Sequence, residues 1–524
     1  MMRKSKILAF FIVIFVLLAF LTGCFGSGSS SRHIEITVQV FNRGTDGGKS
    51  DPTNNNWTKW IQEKMLRDEN IRIRFIPIPR WEETLTMNNL MAAGTPPDVC
   101  FSYSAGLVSN FRDLGGLLDL SPYIDTHLKD LKEFLGTDKA LPERDLIRRN
   151  EDPVTGSIYS IPARRVHTAH RTMTIRKDWL DKLGLPLPKT TEEFYQALRA
   201  FKEHDPGGVG RSRVIPFSIN ADVYWMAYNV LFTFIDPNLS RRDRWVNTIE
   251  ERWLLLPGFK NGMRFLNQMY QEGLIDRDFA LYKGIEASNP IRAGLVGAFN
   301  GEWDTLYRED DAILSDLQKN VPGAELVPFD GLTNSNGVPV KGAYDSAGIN
   351  FFIPASCKNP EAALRYVNWL AKYENYHFLQ VGKEGINHDM VDGVPKIKVA
   401  EGLWIQNSPM NLDYTIHVNG LELGDQELNV RALASGYPWP YEMIRNAYMI
   451  STNNAFPAPV VPVTLSAAGP VSQVLIDKHN ALLAELVVCN PRDFDRIWDA
   501  GIANWMTAGA RAIRDERAAK YVEF

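Results

Sequence analysis

Glu302 and Asp304, two apart in the stretch GEWD, are the first residues in this chain whose spacing invites chemistry. On a strand they would face the same side. A glycosidase, however, holds its two carboxylates about 5 Å apart or more across a bound sugar and draws them from separate segments, so a catalytic pair is not the expected use of these two. Nine histidines give no metal-spaced pair on a convincing helix. His167 and His170 in RRVHTAHR come nearest, and the flanking Arg164, Arg165 and Arg171 make that stretch a poor cation site. The glycines of FKEHDPGGVGRSRVIPFS, residues 201–218, have the backbone freedom for an anion cradle or an ion loop. As a phosphate cradle the stretch fails, because its glycines follow a helical pattern and no lysine–serine helix start comes after them, whereas an anion site needs the loop to open a helix.

The N-terminus sets the compartment in which any chemistry takes place. Arg3, Lys4 and Lys6 precede an apolar run over residues 7–21, and Leu21-Thr22-Gly23-Cys24 follows. This pattern is that of a secretory signal, and a thiol directly after small residues can be diacylglycerated; Leu-Thr-Gly-Cys resembles the bacterial lipobox. The expectation is a signal peptide over 1–23, lipid on Cys24 as first residue of the mature chain, and a flexible tether over 24–32 through GSGSSS. The competing reading is an uncleaved anchor, since the apolar run is near the lower limit for spanning a bilayer. Loss of the signal removes three positive charges and takes the formal net charge from −5 to −8. No basic block remains for nucleic acid or an anionic membrane. With Cys24 lipidated, Cys100, Cys357 and Cys489 are left far apart, which allows one disulfide but no framework; in apolar settings such as DVCFSY and LVVCNP they read as small buried hydrophobes. About 490 residues remain of a chain that is 45% hydrophobic overall, too long for one core and ample for two domains.

The elements follow from periodicity. HIEITVQVF, residues 33–41, alternates as a half-buried strand; Trp57, Trp60, Ile61 and Met65 fall at helical spacing; IRIRFIPIP from Ile71 is a second strand, RWEETLTMNNLMAAG a helix, and TPPDVCFSY runs into a third strand. Strand alternating with helix argues for a mostly parallel sheet with crossovers. SIYSIP and TMTIR are strands of a segment suited to leave one lobe and enter another. TTEEFYQALRAFKEHD is a helix with Thr191 as cap ahead of Glu192 and Glu193. KNGMRFLNQMYQEGLI is helical, RAGLVGAFNGEWDTLY reads as a buried strand entering a helix, and another helix starts near Pro360. Near the C-terminus Phe494, Ile497, Trp498, Ile502, Trp505 and Met506 form one apolar stripe, read as core packing.

Several stretches, in order, resemble the extracellular solute-binding proteins of carbohydrate ABC importers, family one, and in particular the large lipoprotein branch of sporulating Gram-positive bacteria. They are LMAAGTPPDV, GGLLDLSPYID, GSIYSIPARR, TIRKDWLDKLGLPLPKTTEEFYQALRAFKEHDP, AGINFFIPASCKNPEAALRYVNWLA and GKEGINHDMVDGVPK. The resemblance runs from the lipobox nearly to Phe524. It implies an α/β, two-lobed periplasmic-binding-protein-like fold of type II, with discontinuous lobes, a hinge and an interlobe cleft. The first hinge crossing is expected near 159–162 and the return around 344–359. Lobe 1 is then 33–160 plus about 320–380, and lobe 2 is 161–319 plus about 381–524. The implied protein is a monomer on the extracytoplasmic face of the cell membrane, held by the lipid on Cys24. It captures an oligosaccharide, acidic or neutral, and delivers it to the membrane subunits of an ABC permease, with no catalysis, no cofactor and no nucleic acid. A surface-anchored glycosidase or lyase, and a sugar-binding protein feeding a sensor, remain as alternatives.

A pyranose calls for flat aromatic faces and for planar polar groups to meet its hydroxyls. Candidates at expected strand ends are Trp57, Trp81, Tyr103, Tyr224 with Trp225, Trp303 with Asp304, Tyr344 with Asp345, Trp404, Trp439 and Tyr441. For each one alone, core packing is the competing reading. Arg164 and Arg165, just after YSIP, would suit an acidic sugar such as a uronate, against simple solvation at the surface. The resemblance also implies, where this chain has residues 205–216, a calcium loop of the form D-P-D-G-N-G-x-x-D-E-I-P, which several members of the branch carry. Asp205, Pro206, Gly208, Gly210, Ile215 and Pro216 keep that frame, but Gly207 and Val209 stand where oxygens should be, and Arg213 and Val214 replace the acidic pair. No metal is expected in this degenerate loop.

Overall fold

In the computed structural model the described residues are 33–43, 51–136, 145–152, 155–282, 287–308, 312–333, 341–398, 414–453, 455–457, 465–468 and 471–521. The signal, Cys24, the tether and Trp404 lie outside them. Among the described residues no helix is long and apolar enough to cross a membrane.

Along β2 (Ile71–Pro79) Ile71, Ile73 and Phe75 are buried while Arg72 and Arg74 are exposed, the alternation of a strand with one face on a core. It pairs in parallel with β1 (Ile34–Asn42), register Ile34 to Ile71. The intervening helix Asn56–Glu69 starts at Asn55, whose side chain accepts from Trp57 and Thr58 N–H. Beyond Val38, β1 is buried on both faces, and the amide of Gln39 is satisfied there by the backbone of Phe101 in β3 (Cys100–Ser102), at 2.8 and 3.2 Å.

β3 is an edge of a mixed sheet in the order β13 (Val418–Asn419), β4 (Ile161–Arg165), β10 (Ala347–Phe352), β3. β10 runs antiparallel to β3 and β4, and β13 runs parallel to β4. A second mixed sheet has the order β6 (Ile215–Ser218), β7 (Val296–Glu302), β5 (Arg171–Arg176), β8 (Leu326–Phe329), with β5 antiparallel to both neighbours. The expected mostly parallel sheet is corrected by these two antiparallel insertions. Each involves a strand, β5 or β10, that comes directly from the other lobe instead of from a helical crossover on its own side.

Two α/β lobes result. The first core joins Val38, Phe101, Ile161 and Phe351 to helix Pro360–Leu370, and also takes in Tyr414 and Ile416. The second joins Ile175, Phe201, Phe217 and Phe259 to Leu483 and Trp505 of helices Ser472–Val488 and Phe494–Trp505. A satellite core holds Phe299, Trp303, Leu326, Ile444 and Tyr448. Leu326, Phe329 and Leu332 thus pack with the second and satellite cores, whereas the sequence reading put the stretch from about 320 in lobe 1. Three neighbouring strands, β4, β10 and β13, lead between the lobes and are tied together where they do so: Arg165 N donates to Ser346 O at 2.7 Å and Val166 N to Asn419 O at 2.8 Å. Gly420, at φ 112°, lies so close to Val166 that a Cβ would come within 2.9 Å of the valine side chain. Helix Thr191–His204 is capped by Thr190, not Thr191, because the reciprocal bond to Glu193 requires the cap three residues before it. β7 runs into a turn over 303–307 in place of the expected helix.

Candidate functional site

Arg43, Arg80 and Tyr103 each follow directly on the last residue of β1, β2 and β3. These strands are parallel through the β1–β2 ladder and the Val38–Val99 bridge, so their carboxyl ends share one edge. In the second lobe β6 and β7 are parallel as well; helix Val223–Met226, with Tyr224 and Trp225, follows β6, and Glu302, Trp303 and Asp304 end and follow β7. Open α/β sheets bind ligands outside the carboxyl ends of their strands. The two edges, with the connecting segments between, enclose a cavity of about 840 Å³, within the roughly 300–1,000 Å³ of small-molecule sites.

One wall is aromatic. Trp225 stacks on Tyr228 with centroids 5.4 Å apart and planes at 14°. His170 stands edge-on to Trp225, Tyr228 and Tyr344, at 5.7, 4.5 and 4.0 Å. It is 3% exposed, and Nδ1 has no hydrogen-bond partner among the described residues. Burial, with the charges of Arg171 and Arg165 added, holds its pKa well below the ordinary imidazole value; burial likewise brings His167 down to about 4. Both imidazoles are neutral at pH 7 and offer one N–H donor and one acceptor each. Burial raises the phenols of Tyr224, Tyr228 and Tyr344, which stay protonated. Around this wall the carboxylates are held by arginines: Glu302 by Arg171 at 2.7 Å, Asp304 by Arg308 at 2.6 Å and Asp345 by Arg149 at 2.9 Å. Asp304 also accepts from Tyr437 Oη at 2.7 Å. Glu302 and Asp304 are therefore buttressed wall groups, and the arrangement offers an aromatic platform with planar hydrogen-bonding groups around it.

Of the sequence candidates, Tyr103, Arg165, Tyr224, Trp225, Trp303, Asp304, Tyr344 and Asp345 line this cavity. The others do not. Trp57 is 3% exposed and packs edge-on against Phe378, because its helical spacing points it into the first core. Trp81 is 75% exposed, outside the cavity beside Arg80. Arg164 alternates with Arg165 along β4 and so faces the other way, over the Phe134 ring at 5.0 Å with Nη2 donating to Phe134 O. Trp439 and Tyr441 line a separate groove of about 650 Å³ with Asp392, Lys396 and Arg431. The sequence reading missed Arg43, Arg80 and Tyr228; for the two arginines the available signal was their place immediately after a strand.

In the loop 205–216 the Asp205 carboxylate accepts from Val209 N at 3.0 Å and Gly210 N at 2.7 Å. Gly207 lies against the buried Trp179 ring, where a Cβ would come within 2.6 Å of it. Among the described residues no three His, Cys, Asp or Glu side chains are grouped to hold a metal.

The sequence pattern of the bacterial extracellular solute-binding proteins matches residues 52–376. The chain belongs to this family. Among curated relatives of this solute-binding protein, Lipoprotein LipO of Bacillus subtilis (strain 168) is 27% identical over 343 residues, 62% of each chain. The fructooligosaccharide ABC transporter substrate-binding protein FusA of Streptococcus pneumoniae serotype 4 (strain ATCC BAA-334 / TIGR4) is 29% identical over 204 residues, 36% of each chain. The match thus spans less than two thirds of either relative. Among solved structures, the alginate-binding protein AlgQ2 without calcium ion superposes with a TM-score of 0.66 at 19% identity, covering 93% of this chain and 97% of that one; this likeness bears on the fold.

Proposed function

We propose that this solute-binding protein captures an oligosaccharide in the cavity between its lobes and delivers it, chemically unchanged, to the membrane subunits of an ABC importer. It acts as a monomer tethered outside the cytoplasmic membrane by lipid on Cys24. The observation that carries the reading is the Trp225–Tyr228 stack facing a cavity lined from both lobes by planar polar groups. The names of FusA, a fructooligosaccharide binder, and of AlgQ2, an alginate binder, support it. The lobes are joined by three connecting segments, and a ligand that touches both lobes at once favours the closed arrangement.

The test is a thermal-shift screen of the purified protein against neutral and acidic oligosaccharides, with chromatography of the recovered sugar. A ligand that binds only the folded state at a concentration a hundred times its Kd stabilises by about 2.7 kcal/mol. The expected result is a saturable rise in Tm, a change in tryptophan fluorescence and intact sugar. Cleaved sugar, or a whole panel without effect, overturns the reading.

A further inference from the structure

The chain as a whole carries a formal charge of −5, yet the cavity has the opposite balance. Six arginines line it, Arg43, Arg80, Arg112, Arg149, Arg165 and Arg308, against five carboxylates, Asp152, Glu251, Glu302, Asp304 and Asp345. Three of those carboxylates are neutralised by the ion pairs described above, and Asp152 accepts Thr155 N–H at 2.9 Å. The arginines are not equally engaged. Arg149 and Arg308 belong to those pairs, Arg80 reaches Glu83 at 3.2 Å, and Arg112 reaches Asp113 at 3.0 Å. Arg165 differs: among the described residues its guanidinium makes no ion pair, its Nε is buried without a partner, and its Cζ lies over the Tyr344 ring at 4.3 Å. It sits at the end of β4, where the chain leaves the first lobe, and shares the Tyr344 ring with His170, whose Nδ1 has no partner among the described residues. At the carboxyl ends of β1, β2 and β3 the Arg80 guanidinium lies over Tyr103 at 4.6 Å, and Arg43 Nη2 donates to Tyr103 Oη at 3.2 Å.

A guanidinium lying over an aromatic ring keeps its charge and its donors while one side is desolvated. Its partner is a carboxylate, which it can meet with two parallel bonds. We infer that the ligand of this cavity is an acidic oligosaccharide, built of uronic acid units, and that Arg165 binds one of its carboxylates, with Arg43 and Arg80 facing further acidic units at the first-lobe wall. The inference rests on the oligosaccharide reading above. Glu251 is the opposing charge on the second-lobe side of the cavity and sets a limit on how many carboxylates are welcome there.

Calorimetry on the full chain tests it, using trisaccharides of galacturonate, guluronate, mannuronate and glucuronate, each beside its uncharged methyl ester, with fructo-, galacto- and malto-oligosaccharides as neutral sugars. At least one acid is expected to bind about ten-fold or more tighter than its ester, as hydrogen bonds to charged groups do, and to weaken as salt is raised. Arg165→Ala and Arg165→Gln should each cut that acid-to-ester ratio by about 10- to 100-fold. Glu251→Gln should raise it, and Arg164→Ala should leave it unchanged. Tight binding of a neutral sugar with no preferred acid overturns this inference and leaves the capture of oligosaccharides standing. Binding of nothing in either set overturns both. An acid preference that survives both Arg165 variants removes Arg165 from the role.

Discussion

His417 is fully buried, meets Phe134 and Tyr376 edge-on at 4.9 and 5.8 Å, and among the described residues has no hydrogen-bond partner on either ring nitrogen. Burial, reinforced by the charge of Arg164, depresses its pKa to about 3. In the unfolded chain it titrates near 6.5. A base whose folded pKa is depressed contributes stability above its unfolded pKa and loses it as pH falls, because only the unfolded state takes up the proton. Between pH 7 and pH 5 the unfolded imidazole becomes almost fully protonated and the folded one stays neutral, which costs about 2 kcal/mol. His417→Phe removes this titration and puts a ring of similar shape into an aromatic setting. The comparison is urea unfolding of both proteins at pH 7 and pH 5. We expect the variant to differ from the parent by no more than about 1 kcal/mol at pH 7, where two unpartnered nitrogens are exchanged for apolar atoms. At pH 5 it should have gained about 2 kcal/mol relative to the parent. His167, His170 and His479, also depressed by burial, lose stability over the same window in both proteins and cancel in the comparison, while the carboxylates of Asp68 and Glu516, drawn down to about 2, lose their contributions only below their own unfolded values. Parallel stability curves for the two proteins across this range would refute the reasoning.

Two further outcomes follow from buried or capped charge. Arg176 is 1% exposed, lies over Trp179 at 4.7 Å and is held by both oxygens of Asp178 at 2.8 Å; Asp178→Ala leaves that cation buried without its counterion and should cost about 3–5 kcal/mol in urea unfolding. For the loop 205–216, calcium up to millimolar concentration should give no saturable rise in Tm, because Arg213 stands in place of a ligand and the Asp205 carboxylate is already occupied by backbone N–H groups. A rise with calcium and not with magnesium refutes this.

Much of the first lobe was legible in the sequence because its elements are periodic: β2 alternates, and helix Pro360–Leu370 begins at a proline. The parallel-sheet expectation failed at β5 and β10, since local pattern carries no information about which distant strand a segment will pair with. β13, two residues long, has no periodicity to read, so the third connection between the lobes was invisible. Among site residues, Trp57 and Trp225 are the same amino acid with opposite fates. Trp57 lies on a long amphipathic helix, which turns it inward, while Trp225 lies in a four-residue helix beside the cavity. Arg164 and Arg165 could be told apart only once β4 was known to be a strand, whose alternation sends neighbours to opposite faces.

The first core contains Tyr414 and Ile416, and β13 at 418–419 completes the sheet that begins with β3. The N-terminal lobe therefore cannot close its own interior until the chain has been made out to residue 419. Contacts of such long sequence separation slow folding. A lobe assembled from both ends in this way stays open while most of the polypeptide is still being made.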